Sequence, residues 1–145
     1  MRTVLRTTWT KLIGTYSDDR ATALEIASDG SIYVGGYTNG ELLDETGNSL
    51  GDNGGTQNAF FSKYDSDGNL EWIRLFGNTS TSRLYSIDSA SDGSVFITGK
   101  VTDDINGQTN NGGSDIFLAK YDSFWRPPLS VITISELLSN GLKPQ

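Results

Sequence analysis

The chain has 145 residues, 35% hydrophobic content, 17 Gly and a formal charge of −7, the size of one domain with a real core and the Gly-rich balance of many short strands joined by turns. That acidity argues against nucleic acid and against anionic membranes as partners, because phosphate neutralisation needs clustered Lys and Arg. With no His and no Cys, the commonest general base, the commonest zinc ligand, every disulfide and all thiolate chemistry are missing, while the compartment stays open.

Along the chain, residues 1–8 read as a lead with basic residues but no apolar run of signal-peptide length, so no export signal is visible. No later segment has the length to span a membrane. Next comes Trp9-Thr10-Lys11-Leu12-Ile13-Gly14, a short strand-like stretch. Alternation and turn chemistry then predict strands at Ala23–Ala27 and Ser31–Gly36 around Ser28-Asp29-Gly30, a hairpin turn in which Gly supplies the positive φ. A second hairpin is predicted from Ala59–Tyr64 and Leu70–Phe76, around the slightly longer turn Asp65-Ser66-Asp67-Gly68-Asn69. Variable linkers run over about 38–58 and about 101–115.

The second half of the chain repeats the first. Sliding the chain by 63 positions matches Trp9 with Trp72, Leu12 with Leu75, Gly14 with Gly77, Ser17 with Ser80, Arg20 with Arg83 and Gly36 with Gly99. The run Ala27-Ser28-Asp29-Gly30-Ser31 returns intact as Ala90-Ser91-Asp92-Gly93-Ser94. After the linker the match resumes at an offset of 57, with Phe60/Phe117, Lys63/Lys120, Tyr64/Tyr121, Asp65/Asp122 and Ser66/Ser123. Two hairpins per unit, recurring every 40–60 residues or so, are the signature of radial β-propeller blades. A sandwich is the competing architecture, although its strands are not built by tandem repetition of one sequence unit.

The motifs W-x-x-L-x-G, A-S-D-G-S-[IV]-[YF]-[VI]-x-G and F-x-x-K-Y-D-S, with D-G-N-x-x-W after the last in the first unit, resemble the SBBP-type β-propeller repeat family over residues 9–125. The resemblance implies an all-β fold of four-stranded blades, in bacterial, often cyanobacterial, secreted or surface proteins. It implies a scaffold rather than a defined activity. The expected division is a lead at 1–8, an outer strand of a preceding or shared blade at 9–15, blade one at 16–77, blade two at 78–125 and a tail at 126–145.

Blade two departs from the pattern where Phe124-Trp125-Arg126-Pro127-Pro128 replaces the Asp-Gly-Asn turn and the outer strand, since a Pro pair cannot continue a sheet interior. A spare outer strand at one end and a missing one at the other suit either a fragment of a longer repeat protein or a ring closed by strand exchange between chains. Two blades cannot close alone, as rings hold about four to eight; three chains would supply six. In the tail, Val131, Ile134, Leu137 and Leu138 approach helical spacing before Asn140-Gly141, as in a short amphipathic helix, with a frayed tail as the plainer reading.

Calcium is the one cofactor these residues invite, since Ca²⁺ takes clustered hard oxygens. The best cluster is Asp103, Asp104, Asn106 and Asp115, with Asp44, Glu45, Asn48 and Asp52 in the matching loop; no full motif is met, and solvated turns are the simpler account. Arg20 and Arg83 are expected to cap turns or pair with Asp19 and Asp88. Trp9, Trp72 and Trp125, like Tyr33/Phe96 and Tyr64/Tyr121, recur in register and are expected to pack blade on blade rather than to stack on sugars. No carboxylate recurs beside a partner except Asp29/Asp92, which the turn explains, so catalysis is not expected. The expected function is a structural or interaction module of a bacterial surface or secreted protein, or alternatively an oligomeric lectin-like propeller binding glycans between blades. Partners are then proteins, glycans or further copies of the chain.

Overall fold

The computed structural model describes residues 4–44, 46–50, 56–76 and 81–122. The chain is all-β, with two antiparallel sheets and no helix among the described residues. Strands β1 (Asp19–Ile26), β2 (Ile32–Thr38), β3 (Asn58–Tyr64) and β4 (Leu70–Phe76) form a four-stranded meander. Strands β5 (Ser82–Ser89), β6 (Val95–Val101) and β7 (Asp115–Tyr121) form a three-stranded one. These segments are rich in the β-branched and aromatic residues that suit a pleated, half-buried surface.

The repeat is structural as well as textual. β1 and β2 map onto β5 and β6 end for end at the offset of 63, and β3 maps onto β7 at 57. A register shift between Ala21 and Ala23 recurs between Leu84 and Ser86. Opposite each bulge stands a glycine that tolerates no side chain: a Cβ at Gly36 falls 1.8 Å from the Arg20 carbonyl oxygen, and one at Gly99 falls 2.0 Å from that of Arg83. Asn39 N–H donates to the Asp18 carbonyl at 3.0 Å, and Thr102 N–H to that of Thr81 at 3.1 Å, closing the far ends alike.

Three hairpins use one turn. In each, Ser-Asp-Gly forms a three-residue loop whose Gly lies in the left-handed region, with φ of 85° at Gly30, 80° at Gly68 and 83° at Gly93. The turn at Asp65–Asn69, expected to be longer, has the same loop, closed by Asp65 N–H to the Asn69 carbonyl at 3.0 Å. The β1 strand begins four residues before its expected start, because Asp19, Arg20 and Ala21 pair with Thr38, Tyr37 and Gly36 ahead of the bulge.

The sheets pack face to face, and β5 lies against β1, β2 and β3. Tyr33, Ala59, Phe61 and Phe76 from the first sheet bury against Leu84, Ile87, Val95, Ile97, Val101 and Phe117 from the second. Aromatic rings bridge the join, Phe76 to Phe117 at 4.7 Å and Phe61 to Tyr121 at 5.5 Å between centroids, and Trp72 stands over Phe61 at 5.1 Å. Polar links fix the register: Thr22 Oγ1 donates to the Leu84 carbonyl, Ser89 Oγ to Glu25, and Ser82 Oγ accepts from Ala59 N–H at 2.8 Å while donating to the Phe76 carbonyl at 2.7 Å. The first sheet's other face is covered in part by its own 39–50 loop, where Leu42 and Leu50 pack on Phe60 and Ile73.

The segment 9–15, expected as an outer strand, joins neither sheet. The outer position of the first sheet is already taken by β4. The Trp9 ring instead lies against Gly68 of the β3–β4 turn, and Thr15 is held by Asp19, whose carboxylate accepts the Thr15 N–H at 2.6 Å and the Thr38 hydroxyl. The departure at Phe124–Pro128, with Trp125, and the tail helix lie outside the described residues.

Candidate functional site

The β6–β7 loop, 102–114, is shaped by turn residues. Ile105 and Gln108 exchange backbone hydrogen bonds at 3.0 and 2.8 Å, and Asn106 and Gly107 between them both have positive φ, 48° and 77°. That is a type I′ turn, whose chemistry favours Asn-Gly because Asn is among the few side chains that tolerate the left-handed region. Asn106 is accounted for by this geometry before any ligand is invoked.

The neighbouring carboxylates bind the loop's own backbone. Asp103 Oδ1 accepts the Asp104 N–H at 2.9 Å, Asp104 Oδ1 the Asn110 N–H at 2.8 Å, and Asp115 Oδ2 the Asn111 N–H at 2.7 Å. Asp103, Asn106 and Asp115 share one cavity, and Asp104 is not among its lining residues. Among the described residues no group of three or more His, Cys, Asp or Glu stands close enough to hold a metal ion. In the matching loop Asp44 Oδ1 accepts from Thr46 Oγ1 at 2.7 Å and from the Thr46 and Asn48 N–H groups at 2.8 Å each, which holds the Asp44 carboxyl down to about 2. Glu45 and Asp52 lie outside the described residues.

The cavity is an open cleft of about 600 Å³ bounded by the end of β4, β7 and the β6–β7 loop, within the range of small-ligand sites. Phe76, Val101, Ile105 and Phe117 give it an apolar side, and the loop's amides and carboxylates a polar one. Asn110 binds Gly112 N–H through Oδ1 at 2.7 Å, while its Nδ2 is buried and has no acceptor among the described residues. The expected site did not include Phe76 or Asn110; the run Asn110-Asn111-Gly112-Gly113 was the available signal.

Other expected residues turn out to be structural. Asp29 and Asp92 each accept the N–H two residues on, Ser31 and Ser94, at 2.9 Å. Arg83 pairs with neither aspartate; its Nε donates to Gln57 Oε1 at 2.6 Å and its guanidinium lies 4.7 Å over the Tyr37 ring, so it fastens the second sheet to the first. Asp19, the partner expected for Arg20, is engaged by Thr15 and Thr38. Tyr33, Trp72 and Tyr121 meet at the inter-sheet join, whereas Tyr64 and Phe96 sit on the faces turned away from it. No protein-family model and no curated protein matches this chain.

Proposed function

We propose that the chain is a non-catalytic β-propeller repeat module of the SBBP type, with a structural or interaction role in a bacterial surface or secreted protein. The observation that carries this reading is the stacking of one repeat on the next, with bulge, pinned glycine and Ser-Asp-Gly turn reproduced at a fixed offset. Repeats that bury their faces on one another form scaffolds whose stability is a sum of neighbour contacts. The carboxylates at the turns are engaged by backbone N–H groups, which supports a scaffold over acid–base chemistry. The test is electron microscopy of three chains fused head to tail. Rings of six radial sheets around a channel are expected; strings of separate two-sheet bodies refute the propeller reading.

A second reading, glycan binding between blades, is favoured by the cavity beside Asn110, which pairs the apolar wall of Phe76, Ile105 and Phe117 with the polar residues of the β6–β7 loop. A glycan array without hits removes it, as does binding that survives Asn110→Ala.

A further inference from the structure

The repeat offset carries the buried join onto the surface. The first sheet meets the second through Ala23, Glu25, Tyr33, Gly35, Ala59 and Phe61. Their repeat equivalents, Ser86, Asp88, Phe96, Thr98, Ile116 and Leu118, lie together on the second sheet's outward face. Conversely Leu84, Ile87, Val95, Ile97 and Phe117 of the join correspond to Ala21, Leu24, Ile32, Val34 and Phe60 on the first sheet's outward face, where Leu24 and Ile26 are exposed and Phe60 lies under Leu42, as Leu42's repeat equivalent Ile105 packs against the join. Side-chain character is kept at several of these positions: Glu25 becomes Asp88, Tyr33 becomes Phe96, and Val34 becomes Ile97. The surroundings differ, for Ala59 and Phe61 are 0% and 2% exposed while Ile116 and Leu118 are 85% and 75% exposed.

From this we infer that the outward face of the second sheet docks onto the outward face of the first sheet in a second copy of this chain, head to tail, repeating the internal join. The steric fit favours that occupant. Inside, glycine at position 35 receives Leu84, whose Cδ2 would stand 2.7 Å from a Cβ there. At the proposed contact the sizes reverse, Thr98 taking the place of Gly35 and Ala21 that of Leu84, so the summed volume stays near that of the internal pair. Two different faces in contact make a heterologous interface, which extends or closes according to its rotation. The inference deepens the repeat-module reading and rests on it for the reuse of one packing geometry; ring closure is decided separately by the fused chain.

The full chain is tested by light scattering during size exclusion. A mass that rises with concentration above 15.7 kDa is expected; a monomer throughout overturns the inference. Ile116→Lys/Leu118→Lys and Leu24→Lys alter exposed positions, so far-UV circular dichroism should be unchanged. Each variant alone should be monomeric, and their mixture should form one-to-one dimers, because each retains the face the other lacks. Self-association that survives either variant, or a mixture that stays monomeric, overturns it. The chain has no Cys, which permits a second measurement. Mixed Leu24→Cys and Thr98→Cys chains should be joined by a short bismaleimide cross-linker, since a Cβ at Gly35 in the equivalent internal pair falls 3.0 Å from Ile87 Cδ1; the absence of cross-linking overturns the proposed register.

Discussion

Gly35 and Leu84 oppose each other across the two sheets, and substituting both tests that packing in one cycle. A Cβ at Gly35 falls 2.7 Å from Leu84 Cδ2, 3.0 Å from Leu84 Cδ1 and 3.0 Å from Ile87 Cδ1, whereas carbons rest about 3.5–4.0 Å apart. Gly35→Ala must therefore part the sheets or drive Leu84 from its rotamer, at about 1–3 kcal/mol. Leu84, 0% exposed, leaves a cavity on truncation; Leu84→Ala costs about 2–5 kcal/mol, toward the upper end because sheet backbone cannot collapse into the hole. The double variant should lose less than the sum, since the new methyl enters space that Cδ1 and Cδ2 vacated, with a coupling of about 1–2 kcal/mol. Urea unfolding followed by tryptophan fluorescence measures each term, provided the slope m is constant across the set. Additive losses would refute the opposed packing, as would a Gly35→Ala variant as stable as the parent.

Three further outcomes are expected from the turns and bulges. Asp29 and Asp92 are held below the ordinary 3.8 by the Ser31 and Ser94 N–H groups, Asp65 by Asn69, and Asp44 down to about 2 by Thr46 and Asn48. Folded pKa values below the unfolded ones give stabilisation that is complete above the unfolded value and lost as pH falls through the folded ones. With no His in the chain, Tm should be nearly flat from about pH 5 to about pH 8 and fall from about pH 4 downward; a transition near pH 6.5 would contradict this. Gly36→Ala meets backbone at 1.8 Å and should cost about 3 kcal/mol or more, whereas Gly107→Ala, at φ +77° with nothing within 4 Å, should cost about 1–2 kcal/mol; the reverse order in urea unfolding counts against the bulge geometry. Because Asp103, Asp104 and Asp115 already accept backbone N–H groups, added Ca²⁺ should leave Tm unchanged, and a rise of several degrees would mean that the loop rearranges around the ion.

The strands and turns were legible because their causes are local. Ser-Asp-Gly names its own turn, and the β4 bounds Leu70–Phe76 agree with the alternation that predicts them. Identity between copies also singled out Gly36 and Gly99, though only the structure supplies the reason, a neighbouring carbonyl fixed by a bulge two strands could not advertise in their own residue pattern. Distant pairings were not legible. Trp9 matches Trp72 in sequence, yet the strand that Trp72 belongs to has β3 beside it, while Trp9 has no such neighbour and rests on a turn instead. The cavity depends on Phe76 approaching the β6–β7 loop from the other sheet, a contact that no pattern within either segment encodes. The oxygen-rich cluster was visible, but its use was not, because the same carboxylate that suits a cation also suits a backbone N–H one to six residues away.

Burial in this chain is a property of position in the stack more than of residue type. Leu24 and Ile87 occupy one repeat position, as do Phe61 and Leu118; one member of each pair is enclosed and the other faces outward. A unit whose two faces both carry apolar side chains has an interior specification on each side, so an end of the stack is costly wherever it falls. The first sheet softens that cost by folding Leu42 and Leu50 over Phe60 and Ile73. The second sheet's outward face carries Ile116 and Leu118 in the open, and Lys120 reaches over only the Phe96 ring, at 5.5 Å. The internal join shows how such a face is covered, and the proposed head-to-tail contact would cover Ile116 and Leu118 in the same way.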